Sequence, residues 1–253
     1  GFIVGPRLNA AGRLDDMSIG IECLLAESSA SARGFAEKLH QLNRERRDIE
    51  QSMQQDALAQ LESIDLEGDD SLFAMTLYDS AWHQGVIGIL ASRIRERVRR
   101  PTLVFADAEE GMLKGSGRSI ANLHLRDVLD QVATRHPGLL TKFGGHAMAA
   151  GLSLKKDDLD HFKQALNDAV ADALGHTPPE RSEESDGTLA PGDFGLLLAE
   201  QLASGGPWGQ HFPEPLFDGQ FSVRSHRIVG EKHLKVTLDA DGTEIEGIAF
   251  NID

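Results

Sequence analysis

The chain has 253 residues, 40% of them hydrophobic and 26% charged, which is enough for a real core in one or two domains. No apolar run approaches the roughly 20 residues that a membrane span requires, so no membrane partner is expected. The formal charge of −15 argues against a polyanion partner until its distribution is read: Ser80 to Ala150 holds ten Lys/Arg against six Asp/Glu, or +4, and the remainder holds 15 against 34, or −19. A basic middle inside an acidic protein permits a local polyanion site and limits nonspecific sticking.

In chain order, Gly1-Phe2-Ile3-Val4 carries neither an initiator Met nor a basic-then-apolar leader, and the chain reads as cut from something longer. Residues 1–16 hold three glycines, a proline and two arginines. They predict a structured loop with Arg7 and Arg13 as anion-directed groups, or else an ordinary surface loop with solvated charges. Ser18 to Ala26 predicts a short helix containing the single Cys23. One cysteine leaves no internal disulfide and no cysteine-based zinc cluster, and points to a reducing, cytoplasmic setting.

A long helix is predicted from about Ser31 to Ser63. Phe35, Leu39, Leu42, Ile49, Met53 and Ala57 recur at helical spacing, with Arg46 filling the gap in the stripe. At about 1.5 Å per residue it reaches roughly 50 Å, the length of a strut between domains or of a bundle helix. After an acidic turn over Asp65–Asp70 the pattern alternates. Strands are predicted at 72–78, 101–105, 112–115 and 151–154, and helices at 86–97, 123–134 and 159–174. Strands spaced by single helices predict an α/β sandwich with a largely parallel or mixed sheet. Thr177 to Asp193, rich in Pro, Ser and Glu, is a linker by composition. A short helix at 194–203 and four short strands at 217–223, 226–229, 233–238 and 245–250 predict a small β-barrel or sandwich.

Three stretches in or beside the basic segment can carry chemistry. Lys114-Gly115-Ser116-Gly117-Arg118-Ser119 offers glycines for backbone approach, two hydroxyls and a bidentate guanidinium fork. Asn122 is a candidate cap for the helix that follows. Trp82-His83-Gln84-Gly85-Val86-Ile87-Gly88 places His83 and Gln84 toward a ligand, with Trp82 either stacking on a base or filling the core. Phe143-Gly144-Gly145-His146-Ala147-Met148-Ala149-Ala150-Gly151 is a phosphate cradle if it leads into a helix, or a tight turn with a buried histidine. All three are expected where strands end and helices begin, which is where ligands bind in α/β folds. No Asp/His group has good metal-ligand spacing, and there is no P-loop, nucleophile elbow or His-Glu-x-x-His. The chain reads as an apparatus for holding a substrate, without its own catalytic centre.

Taken in order, Gly5-Pro-Arg-Leu-Asn-Ala-Ala-Gly-Arg13, the Trp82–Gly88 and Lys114–Ser119 stretches, Gly144–Gly151, Gly206-Pro-Trp-Gly-Gln210, Phe212–Gly219 and Gly247–Asn251 resemble one family over the whole chain. It is the RecJ family of bacterial single-strand-DNA-specific 5′→3′ exonucleases, in the DHH/DHHA1 phosphoesterase superfamily. The resemblance implies a C-terminal remnant of a DHH domain at 1–30 and a connecting helix at 31–63. It further implies a DHHA1-type α/β domain at 70–175 and a small β-rich OB-like domain at 185–253. It implies Mg²⁺ or Mn²⁺ held by an Asp-His-His domain whose ligands are absent from this chain, so the chain alone is expected not to cleave. Arg7, Arg13, His83, Ser116, Gly117, Arg118, Ser119, Gly144, Gly145 and His146 are the implied phosphate-binding set. The implied partner is single-stranded DNA, with single-strand-binding protein as a further candidate, in DNA repair and recombination. Two rivals stand beside this reading: a DHH-type phosphodiesterase on short oligoribonucleotides or cyclic dinucleotides, and a non-catalytic interaction module.

Overall fold

A computed structural model describes residues 3–62, 64, 71–179, 184–209, 212–230, 232–250 and 252. The acidic turn at 65–70 and part of the linker lie outside these residues. So do Gln210 and Asn251 of the quoted motifs.

The first sixteen residues are not a loop. Val4–Leu14 is a helix, α1. Pro6 sits in its first turn, where a missing N–H costs nothing. Ala10 and Ala11 are fully buried against Leu39 and Leu42 of the long helix. Tertiary burial of that small-residue face outweighs the poor propensity of Gly5 and Gly12. α2 follows at Ser18–Leu25, with the Ser18 N–H donating to Asp16 Oδ1 at 2.9 Å. α3 is one uninterrupted helix, Ser29–Glu62, of 34 residues. Its first half packs on α1 and α2 through Leu39 and Leu42, and its second half contributes Met53, Ala57 and Leu61 to the core beneath the sheet. At the changeover Arg46 replaces an apolar residue. Its side chain is only 12% exposed, and it donates to Glu50 at 2.6 Å and to Asn43 at 3.3 Å. Glu50 also faces Arg93 of the next helix, at 3.6 Å.

The sheet elements are β1 (Met75–Tyr78), β2 (Thr102–Asp107), β3 (Met112–Arg118), β4 (Lys142–Gly145) and β5 (Ala149–Lys155). Between and after them lie α4 (Ile87–Val98), α5 (Leu125–Arg135) and α6 (Leu159–Ala173). Strand order is β1-β2-β3-β5-β4. Only β1 and β2, joined through α4, run parallel; every other pair is antiparallel. Side chains alternate as the pleat requires. Leu103, Phe105, Leu113, Leu152 and Leu154 enter one core with residues of α5 and α6. Met75, Leu77, Val104 and Ala106 enter the other with α4 and the end of α3.

Two motif placements change. Lys114–Arg118 is not a strand-end loop; it runs along β3, paired on both sides. A Cβ on Gly115 would lie 2.4 Å from the Phe105 ring, and one on Gly117 would lie 2.7 Å from Leu125. Those glycines make room for packing, which reads in sequence like loop composition. The Gly-Gly-His stretch does not lead into a helix either. It closes the β4–β5 hairpin, with the His146 N–H donating to Ala149 O at 2.8 Å. The cap of α5 is His124, which accepts from the Asp127 N–H, and not Asn122, which has a left-handed φ of 63°.

After about residue 181 the chain forms a separate compact unit. It contains α7 (Leu196–Gly205) and an antiparallel meander of β6 (Ser222–Val229), β7 (His233–Ala240) and β8 (Thr243–Ala249). Four short strands were expected from the sequence. The 226–229 segment and the end of the 217–223 segment join as β6, with a register shift between Val223 and Ser225.

Phe162 is fully buried, edge-on to Phe105 at 5.5 Å between ring centroids. Phe162→Ala is expected to cost about 3–5 kcal/mol in a urea titration. A loss under about 1 kcal/mol would show that α6 does not anchor the sheet.

Candidate nucleic-acid interface

α4 lies over β2 and the adjoining side of β3, while α5 and α6 cover the opposite face of the sheet. Beyond the Ser116–Arg118 end of β3, which α4 meets, the α4-side face of Lys114, β5 and β4 continues with no helix above it among the described residues. Directly paired residues of antiparallel strands share a face. One row across this face is Lys114–Ser153–Lys142, and the next is Ser116–Gly151–Gly144. Arg118 pairs with Ala149 at the end. Lys114, Lys142, Gly144 and Gly151 are all exposed. A Cβ at Gly144 would meet nothing within 4 Å, and one at Gly151 would meet only the Gly115 carbonyl at 3.9 Å. These two glycines leave bare backbone in an open groove of about 350 Å³ framed by two lysines.

At the Arg118 end the groove meets α4 and α1. The Arg118 Nη1 donates to Ser116 Oγ at 3.2 Å and to Gly117 O at 2.8 Å. Gly88 of α4 stands against them, since a Cβ there would lie 3.0 Å from Ser116 Oγ and 3.1 Å from Arg118 Nη2. Arg13, in the last turn of α1, donates to Gly85 O at 3.0 Å. Burial lowers the pKa of Arg118, and repulsion from Arg13 and Arg95 lowers it further. Neither Arg13 nor Arg118 makes an ion pair with a described residue. A half-buried guanidinium with two like neighbours and no ion pair of its own favours an anion, with Glu96, itself paired with Arg93 and Arg95, as the nearby acid. Beside it lies a cleft of about 310 Å³ lined by Gly88, Ser92, Arg93, Glu96 and Arg118.

The structure brings Arg13, Ser116, Arg118, Gly144 and His146 to one region. His146 is exposed in the β4–β5 hairpin, whose Met148 carbonyl accepts from the Ser119 N–H at 2.9 Å, so it stands at the same end of the sheet as Arg118. His83 is exposed in the β1–α4 turn, its Nδ1 accepting from the Gly85 N–H at 3.0 Å. Gln84 is turned aside, donating to Asp107 O at 2.8 Å. Trp82 is core, 4% exposed. Ser119 is buried, with its hydroxyl donated to Leu123 O at 2.7 Å. Gly117 faces the α5 core, and Gly145 (φ 150°) closes the hairpin, where a Cβ would lie 2.4 Å from Ala149 O. Arg7 points away, its Nε donating to Nδ1 of His40 on α3 at 3.3 Å. Lys114, Lys142, Ser153 and Arg95 were not in the expected set. The period-two alternation Lys114, Ser116, Arg118 would have revealed the first of them, once 112–118 is read as a strand. Among the described residues, no three His, Cys, Asp or Glu side chains gather to hold a metal ion.

Comparison with known proteins matches residues 69–172 to the DHHA1 domain and residues 185–253 to the RecJ OB domain. The chain is similar over its full length to the single-stranded-DNA-specific exonuclease RecJ of Dickeya dadantii (strain 3937), at 53% identity, and to that of Escherichia coli (strain K12), at 49%. It spans 44% of the length of each. Among solved structures, RecJ from Thermus thermophilus in complex with Mn²⁺ aligns with a TM-score of 0.76 at 31% identity, over 97% of this chain and 35% of that one. The same protein in complex with Mg²⁺ aligns at 0.74 and 28%, over 100% and 42%. Among the described residues no helix is long and apolar enough to cross a membrane.

The α1–α4 corner has its own test. A Cβ at Gly85 would lie 2.0 Å from the Arg13 carbonyl oxygen, so backbone must move. Gly85→Ala is expected to destabilise by about 1–3 kcal/mol in chemical denaturation. An unchanged midpoint would mean that α1 is not held at that corner.

Proposed function

We propose, for a chain that belongs to the RecJ family through its DHHA1 and RecJ OB domains, that it is the strand-holding part of a metal-dependent single-stranded-DNA 5′→3′ exonuclease. The observation that carries this reading is the open β5–β4 face with the adjoining Lys114 side of β3, where Lys114, Lys142 and Arg118 stand around a floor of Gly144 and Gly151. Bare backbone admits a sugar-phosphate chain closely, and the cations meet its phosphates without reading bases. Such contacts suit an enzyme that takes any sequence. Arg118, Ser116 and His146 would fix the strand at the end beside α1, which supplies positioning. The OB unit would hold the strand by stacking and backbone charge. Bond cleavage itself falls to groups other than the described residues, and the Mg²⁺ or Mn²⁺ it requires would be bound there. The work would be done in the cytoplasm, in DNA repair and recombination, on strands shared with single-strand-binding protein. The β-rich second unit favours a long strand over a dinucleotide.

Anisotropy titrations with a labelled single strand test the grip. Replacing Lys114, Lys142 and Arg118 together by Ala should weaken binding at least about tenfold and reduce the salt slope by about 2, at about 0.7 per phosphate contact on single strands. The pair Arg118→Ala with His146→Ala should also lose most of its affinity. Unchanged binding in both would refute the assignment. The chain alone should leave a labelled oligonucleotide intact in Mn²⁺, and metal-dependent digestion would contradict the proposed division of labour.

A further inference from the structure

The exposed side of α3 carries a second set of basic residues that the sheet grip does not use. Arg33, His40, Arg44 and Arg47 are spaced by seven, four and three residues, and so share one face. All four are exposed. From Arg33 to Arg47 the row spans about 21 Å at about 1.5 Å per residue. None of the three arginines makes an ion pair with a described residue. Two other cations of this helix are paired: the largely buried Arg46 with Glu50 at 2.6 Å, and Lys38 with Asp15 at 3.4 Å. Arg33, Ala36, Glu37, His40, Gln41 and Arg44 line a shallow depression of about 440 Å³. Glu37 is the one acid in that lining, and Asp48 flanks Arg47.

α1 connects this row to the sheet. Its last turn holds Arg13, whose charge Arg118 feels. Six residues earlier, about 9 Å along the axis, Arg7 donates to His40 of the row. A discontinuous path of cations therefore leads from the groove, by Arg13 and Arg7 on different sides of α1, to α3. In a protein of net charge −15 such a path is selective for an extended polyanion.

We infer that the Arg33–Arg47 face of α3 is a second contact track for the phosphodiester backbone of the same single strand, engaged only when the strand extends beyond the sheet groove. This rests on the strand-holding reading above. Three guanidinium forks suit phosphate oxygens and give no base preference.

The test compares labelled single strands of about 5 and about 20 nucleotides, chosen to fall below and above common single-strand site sizes. The triple variant Arg33→Gln, Arg44→Gln, Arg47→Gln should bind the long strand about tenfold more weakly, with a salt slope lower by about 2. The short strand should bind as before. Glu37→Lys, which removes the acid from the depression, should tighten long-strand binding several-fold, a gain that misfolding cannot mimic. Long-strand affinity unchanged in both variants overturns the inference, and so does an equal loss for the two lengths. The Lys114, Lys142 and Arg118 variant separates the two readings. If it loses both lengths while the α3 variants change nothing, the sheet grip stands and the α3 track falls. If it too changes nothing, both fall.

Discussion

The architecture of the first unit follows from a mismatch between sheet and helices. A five-stranded sheet has two faces to cover, and α4, α5 and α6 are the helices laid along it. α5 and α6 close one face. On the other, α4 and the end of α3 reach as far as β3. The strands beyond are adapted to this. β5 reads Ala149-Ala150-Gly151-Leu152-Ser153-Leu154-Lys155, with the large apolar residues all on the covered side and only small or polar ones on the open side. A leucine at 151 or 153 would expose apolar surface without a partner. The open half-face is thus specified by side-chain size at alternate positions.

The second constraint lies in α3. It holds the α1–α2 cluster at one end and the sheet core at the other. Along α3 the two apolar seams are separated by Arg46, which pairs with Glu50 and through it faces Arg93, while Leu14 of α1 packs against both clusters. Arg46 Nε lacks a hydrogen-bond partner among the described residues. Removing Glu50 would leave a largely buried guanidinium uncompensated, the costly way to break such a pair. α1, and with it Arg13, is held by the packing of Ala10 and Ala11 against Leu39 and Leu42.

Much of this was legible from sequence, and the failures have physical causes. α3, α4 and α6 were found because their apolar stripes repeat at helical spacing over ten residues or more. α1 was missed because three glycines and a proline within residues 1–16 lower propensity, while the burial of Ala10 and Ala11 that overrides it is a tertiary effect. β3 was cut short because Gly115 and Gly117 look like loop residues, and their reason for being small lies in Phe105 and Leu125. The same error put Ser119, which is buried, in a ligand-binding loop. Arg118 and His146 were singled out by residue type, and the β3–β5 register brings them to one end of the sheet. Lys142 reaches the groove through its pairing with Ser153.

β4 closes the sheet on its outer side and is only four residues long, Lys-Phe-Gly-Gly. Among the described residues its outward amides and carbonyls are not matched by another strand, which in a longer and more apolar segment would invite a second copy to pair there. The brevity, the lysine and the paired glycines guard against that. A nucleic-acid chain has no peptide groups with which to continue the ladder, so this margin can stay accessible to one kind of polymer while discouraging association with its own kind.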